Sequence, residues 1–265
     1  AHATELDKWI LSKLQTLIAE VGQSYETYEP TKAGRAIQEF VTDQLSNWYV
    51  RLGRRRFWKG ELTADKIAAY ETLAYCLTTV SQLMSPIAPF YSDWLYRNLT
   101  GTQDGNSVHV SDFPVVQTNW TNEELETAMD LAQRISSLVH SIRKTNRLKV
   151  RQPLSKVLIP VLNATTRTHI SSVEELIKNE VNIKAVDYLD DTSGVLSKKV
   201  KPNFKALGPK FGKEMKAVAE AISTMTNEQI NQLEKEGSLQ VGTYTITPSE
   251  VEILTEDLPG YLTAQ

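Results

Sequence analysis

Leu6, Ile10, Leu14, Leu17 and Val21 recur at steps of three and four residues, the spacing of one helix face. Just ahead of them, "TELD" at 4–7 has the Thr-x-x-acid form of a capping box, which satisfies the free amides at a helix start. A second helix is predicted from near Thr31, behind Pro30, with Ala33, Ile37, Phe40, Val41, Leu45, Trp48 and Leu52 facing inward. A third runs from about Thr63 through Ile67, Tyr70, Leu73, Ala74, Leu77, Val80 and Met84, and Pro86 stops it. Pro89 opens a short fourth helix ending at Gly101. "TNEE" at 121–124 opens a fifth, with Leu125, Ala128, Ala132, Ile135, Val139 and Ile142 on its stripe. Such amphipathic segments predict a helical bundle.

The pattern changes at Pro153. "SKVLIPVLN" (155–163) is a β-branched apolar run and predicts a strand. A helix, "SSVEELIKNEV", and a second strand, "IKAVDYLD", follow. "GVLSKKVKPNF" alternates in part and predicts a third strand. Two further helices, "KFGKEMKAVAEAIS" and "NEQINQLEKEG", precede a hairpin in "SLQVGTYTIT". The expected fold is therefore mainly α: a helical bundle over 1–152, then a small α+β domain over 153–265. The loop-like stretch 100–119, with its glycines and Pro114, is read as a connection inside the bundle.

Composition narrows the class. The chain is 41 % apolar and 23 % charged, ordinary for a globular protein. No apolar run approaches the roughly 18–20 residues that span a bilayer, and no secretory signal is recognisable. The single cysteine, Cys76, excludes an internal disulfide framework and a thiolate zinc knuckle, so a reducing, cytoplasmic setting is expected. The net charge of −3 hides strong segregation. Residues 131–156 carry seven basic groups and no acid, and residues 198–216 carry seven lysines against Glu214. Residues 217–265 carry eight acids against Lys235. Segregated charge of this kind steers polyanions.

Catalytic constellations are missing from the pattern. There is no phosphate-binding glycine loop, dinucleotide turn or nucleophile elbow. His2, His109, His140 and His169 lie far apart in the chain. The stronger signal is "SNWYVRLGRRRFWKG" at 46–60. Trp48 and Leu52 fall on the apolar stripe there, whereas Asn47, Arg51 and Arg54 share a flank. Beyond Gly53, Arg55, Arg56 and Lys59 are expected at a fraying helix end. Two readings stand at this point: a solvated cationic helix end, or arginines that hold phosphates while Tyr49, Phe57 or Trp58 offers a face to an unstacked base. "RKTNRLKVRQPLSK" at 143–156 is a second basic run with no internal acid, either a solvated linker or a second polyanion contact. Neither run has the apolar wedge of a membrane-surface helix.

Longer stretches then carry a resemblance. "ELDKWILSKLQTLI", "YEPTKAGRAIQEFVTDQLSNWYVRLGRRRFW", "LMSPIAPFYSDWLYRNL", "SIRKTNRLKVRQPLSKVLI" and "VKPNFKALGPKFGKEM" together resemble the C-terminal third of isoleucyl-tRNA synthetases, over essentially all 265 residues. The related valyl enzymes share the opening and the "SPIAPF" turn, while "SNWY-x-R-x-x-RRRFW" and "VRQPLSK" look like the isoleucyl member.

The resemblance implies part of a class I synthetase that joins isoleucine to its tRNA with ATP and magnesium. The HIGH and KMSKS signatures of its catalytic domain do not occur here, so the expected chain is a fragment without catalytic residues or cofactors, inactive alone. It is expected to be a monomer whose partners are the anticodon stem-loop of an isoleucine tRNA and the catalytic and editing domains of its parent. No metal site is implied; with Cys76 alone, the resemblance implies either the zinc-free branch or a chain cut before the cysteine-rich zinc module of some bacterial members. The residues assigned to tRNA are Asn47, Arg51, Arg54, Arg55, Arg56 and Trp58, and from the second run Arg143, Lys144, Arg147, Lys149 and Arg151. A role in tRNA contact for Lys198–Lys216 is a weaker expectation. The rival readings are a helical protein-interaction module with a basic patch, the equivalent valyl region, and a self-sufficient enzyme.

Overall fold

The computed structural model describes residues 3–58, 60–101, 105–161, 163–189, 197–211, 214–241, 244–256 and 262–263. The chain forms two compact units, Ala1–Leu131 and Ala132–Gln265. The boundary lies inside one helix. The change of element type comes later, at Leu154, where the first strand starts.

The first unit is all helix and loop. α1 (Glu5–Glu26) starts at the expected capping box: Thr4 accepts from the Asp7 amide, and the Asp7 carboxylate accepts from the Thr4 amide. It buries Trp9, Ile10, Leu14, Leu17, Ile18 and Val21. α2 (Pro30–Glu39) runs without interruption into an eleven-residue π-helix, Phe40–Val50, and then α3 (Arg54–Trp58). α4 (Ala64–Met84) and α5 (Pro89–Thr100) complete the packing, and Gly101 ends α5 with φ 105°, a left-handed value that suits glycine. α6 (Glu123–Thr145) opens against α1: the Ser12 hydroxyl donates to Glu126 and accepts from the Asn122 amide at 2.8 Å. Lys13 pairs with Glu126 and Asp130 at 3.4 and 3.2 Å.

One stripe is corrected. In α4 the buried line is Ala69, Thr72, Cys76, Thr79, Val80 and Leu83, whereas Ile67 and Tyr70 lie on the exposed side. Ala69, Thr72, Cys76 and Thr79, small or polar, take much of the inner face. Apolar periodicity alone does not report that.

In the second unit β1 (Leu154–Pro160), α7 (Ala164–Ser172), α8 (Glu174–Val181) and β2 (Ile183–Leu189) form a strand–helix–helix–strand segment, with β1 and β2 parallel and Leu154 opposite Ile183. The helix predicted over 171–181 is two helices. β3 (Ser197–Pro202) pairs antiparallel with β6 (Val251–Glu256). Between them lie α9 (Phe204–Phe211), α10 (Met215–Ser223), α11 (Asn227–Glu236) and the β4 (Leu239–Val241)–β5 (Tyr244–Ile246) hairpin. Leu207, Val218, Ile222, Ile230, Leu233 and Ile246 form their core. The first part of the expected third strand, 194–196, lies outside the described residues.

The mainly α bundle followed by a smaller α+β part is thus the architecture. Among the described residues, no helix is long and apolar enough to cross a membrane and no cluster of ligands is suited to a metal ion.

Candidate nucleic-acid interface

The stretch at 46–58 separates into an inner and an outer set. Trp48, Tyr49 and Phe57 are buried, so Tyr49 and Phe57 cannot offer a ring face to a base. Their burial follows from the π-helix. Its turns take more residues than an α-helix, so Phe40, Leu45 and Tyr49 point inward at five- and four-residue steps. Gly53 then lets the chain fold close: a β-carbon there would lie 3.0 Å from the Tyr49 carbonyl and 3.1 Å from the Phe57 ring. The expected fraying is absent, because the Gly53 carbonyl accepts from the amides of Arg56 and Phe57 as α3 begins.

Arg56 belongs to the inner set. Its guanidinium grips the fully buried Asp7 with two parallel bonds, Nη1 to Oδ1 and Nη2 to Oδ2, each 2.9 Å. It also bonds Asp65 through Nε at 3.0 Å and Nη2 at 2.8 Å, and so ties α3 to the starts of α1 and α4. The Tyr49 hydroxyl donates to Asp7 Oδ1 at 2.7 Å. Burial alone would raise the Asp7 carboxyl; the bonds from Arg56, Tyr49 and Thr4 overcome it and hold the group below its ordinary value. The assignment of Arg56 to tRNA is therefore corrected: its donors already serve two carboxylates of the bundle.

The outer set is Asn47, Arg51, Arg54, Arg55 and Trp58, all exposed. Arg51 donates through Nε to the Asn47 carbonyl at 2.7 Å and lies over the Trp48 ring at 5.6 Å. Arg54 sits over the Trp58 ring at 5.7 Å, and Trp58 is 67 % exposed. A large indole left this open beside guanidinium groups offers stacking and phosphate contact together. Lys59 lies outside the described residues.

The second basic run is in the second unit. Lys144, Arg147, Lys149 and Arg151 are exposed, and none has an ion pair among the described residues. Arg143 departs from the expectation. It is 1 % exposed, and its Nη atoms are bonded to backbone carbonyls, so it has no face for a phosphate. Of Lys198–Lys216, Lys201 and Lys216 are exposed. The side chains of Lys198, Lys199, Lys205 and Lys210, and Lys213 entire, lie outside the described residues. Cys76 is buried, and burial pushes its thiol up, away from reactivity.

Residues 7–159 match the family model described as the anticodon-binding domain of tRNA ligase. The chain belongs to that family. This domain is similar along its whole length to the isoleucine–tRNA ligase of Cytophaga hutchinsonii, 55 % identical over 271 residues. The corresponding ligase of Bacteroides thetaiotaomicron is 51 % identical over 271 residues, and that of Chlamydia caviae 37 % over 265. The match covers 100 %, 100 % and 98 % of this chain but 24 %, 23 % and 25 % of those proteins. The chain thus spans about a quarter of the length of these relatives.

Proposed function

We propose that this chain binds the anticodon stem-loop of an isoleucine tRNA as one part of an isoleucine–tRNA ligase. The observation that carries the reading is the outer set of α3 and the turn before it: Arg54 and Arg55 exposed beside an open Trp58, on a domain of the anticodon-binding family. The relatives' common name favours the isoleucyl over the valyl alternative. Arginines supply phosphate contacts, which position the RNA, and Trp58 supplies a face for an unpaired base. Lys144, Arg147, Lys149 and Arg151 add a second phosphate-contacting segment. Joining isoleucine to tRNA with ATP and magnesium falls to regions of the longer ligase outside this chain, in the cytoplasm. The chain acts as a monomer and needs no cofactor of its own.

Two variants separate the roles. With a full-length isoleucine tRNA transcript, Arg54→Ala combined with Arg55→Ala should flatten the plot of log affinity against log salt by about 1.4–1.8, at roughly 0.7–0.9 per phosphate contact. Trp58→Ala should weaken binding by about 1–3 kcal/mol with the slope unchanged, because stacking releases no counterions. Unchanged slope and affinity in both would refute the interface.

A further inference from the structure

We propose that buried Arg143 is a positioning residue that holds the 146–152 loop in one conformation, so that Arg147, Lys149 and Arg151, beside Lys144 in the last turn of α6, meet RNA as a preformed set. This rests on the reading of that loop as an RNA contact.

Arg143 lies in the last turn of α6, and its guanidinium is enclosed without any carboxylate partner. Nη1 donates to the carbonyls of Lys149 at 2.9 Å and Gln152 at 3.0 Å. Nη2 donates to those of Val181 at 2.8 Å and Asn182 at 3.1 Å, at the C-terminal end of α8. Burying a cation costs several kcal/mol unless charge or dipoles compensate. Here four carbonyls do so, two of them at the negative pole of a helix. Two anchor points are in the loop and two outside it. The side chain therefore fixes the loop to the strand–helix framework.

Two further observations agree. Arg147 has φ 54°, a left-handed backbone that a non-glycine residue adopts only when its surroundings hold it there. The amides of Arg147 and Leu148 return to the carbonyls of Lys144 and Arg143 at 3.2 and 2.8 Å and close that turn. From the far side, Asn182, itself left-handed at φ 51°, donates through Nδ2 to the Val150 carbonyl at 2.9 Å. The loop backbone is thus held from both sides, while the side chains of Lys144, Arg147, Lys149 and Arg151 extend into solvent. Prepositioned cations lose less conformational entropy on meeting a polyanion than those of a free linker.

The test uses the whole chain and four variants: Arg143→Met, Arg143→Lys, Asn182→Gly, and a fourfold alanine variant at 144, 147, 149 and 151. Trypsin cleaves after Arg147, Lys149 and Arg151, so its rate within 146–152 reports the loop directly. Arg143→Met and Asn182→Gly should speed that cleavage at least fivefold, with Arg143→Lys intermediate. Salt slopes with an isoleucine tRNA transcript, taken on folded protein, should fall in Arg143→Met by more than the roughly 0.7–0.9 of one lost contact. In the fourfold alanine background Arg143→Met should have no further effect on the slope. If Arg143→Met does not fold, Arg143→Lys and Asn182→Gly carry the same readings. Wild-type cleavage and slope in a folded Arg143 variant would overturn the clamp. A fourfold variant that binds as wild type does would overturn the RNA reading of the loop, with the trypsin rates still deciding the clamp.

Discussion

Arg55 and Arg56 are neighbours of like charge with opposite fates, as are Arg143 and Lys144. Composition cannot separate them; the position of a carboxylate or carbonyl from a distant segment does. Asp7 is that partner for Arg56, across 49 positions of sequence. Its carboxyl is more acidic folded than the 3.8 of an unperturbed aspartate, so the stability it contributes is complete above that value. It is lost as pH falls through the lower folded value. Asp7→Asn should cost about 3 kcal/mol at pH 7 by leaving Arg56 half-paired, and should flatten the acid limb of stability below about pH 4. Urea unfolding across pH 2–7 measures both; an acid limb as steep as wild type would show that Asp7 does not titrate with folding. The capping box at Thr4 was legible from four adjacent residues because that interaction is local.

At the scale of the element, the π-helix explains the main misreading. A stripe drawn at 3.6 residues per turn selects Phe40, Leu45 and Trp48, which are buried, and Val41 and Leu52, which are only half-buried. The wider turn adds Tyr49 to the inner face, where its hydroxyl reaches Asp7. The same segment decides the role of Gly53. On helix propensity alone, Gly53→Ala should gain about 1 kcal/mol. The 3.0 Å approach to the Tyr49 carbonyl reverses the sign, because backbone cannot yield as a flexible side chain can. Gly53→Ala should therefore destabilise the first unit by roughly 1–3 kcal/mol, seen as a lower urea midpoint. A raised midpoint would mean that the turn relaxes freely. In α4 the apolar stripe misled for a different reason, since Ala69, Thr72 and Cys76 take the inner face while Ile67 and Tyr70 are exposed.

For the whole molecule, the order of elements was largely readable in the first unit and partly in the second, because helix caps, prolines and the switch from helical to alternating pattern are short-range signals. α7, α9 and β6 were not foreseen, and β3 pairs with β6 across some fifty residues of sequence. The candidate interface was half legible: five groups singled out at 47–58 are exposed, while Arg56 is tied to Asp7 and Asp65 and Arg143 to backbone carbonyls of its own unit. The chain contains an anticodon-binding domain and spans about a quarter of the length of its relatives; recognition of the anticodon is the function proposed for it. Titrating it with the anticodon stem-loop of an isoleucine tRNA, and with the same hairpin carrying another anticodon, tests this most directly. The native anticodon should bind at least about fivefold tighter, roughly 1 kcal/mol, the low end of the cost of one mismatched base. Equal affinity for the two hairpins would contradict anticodon recognition by this chain.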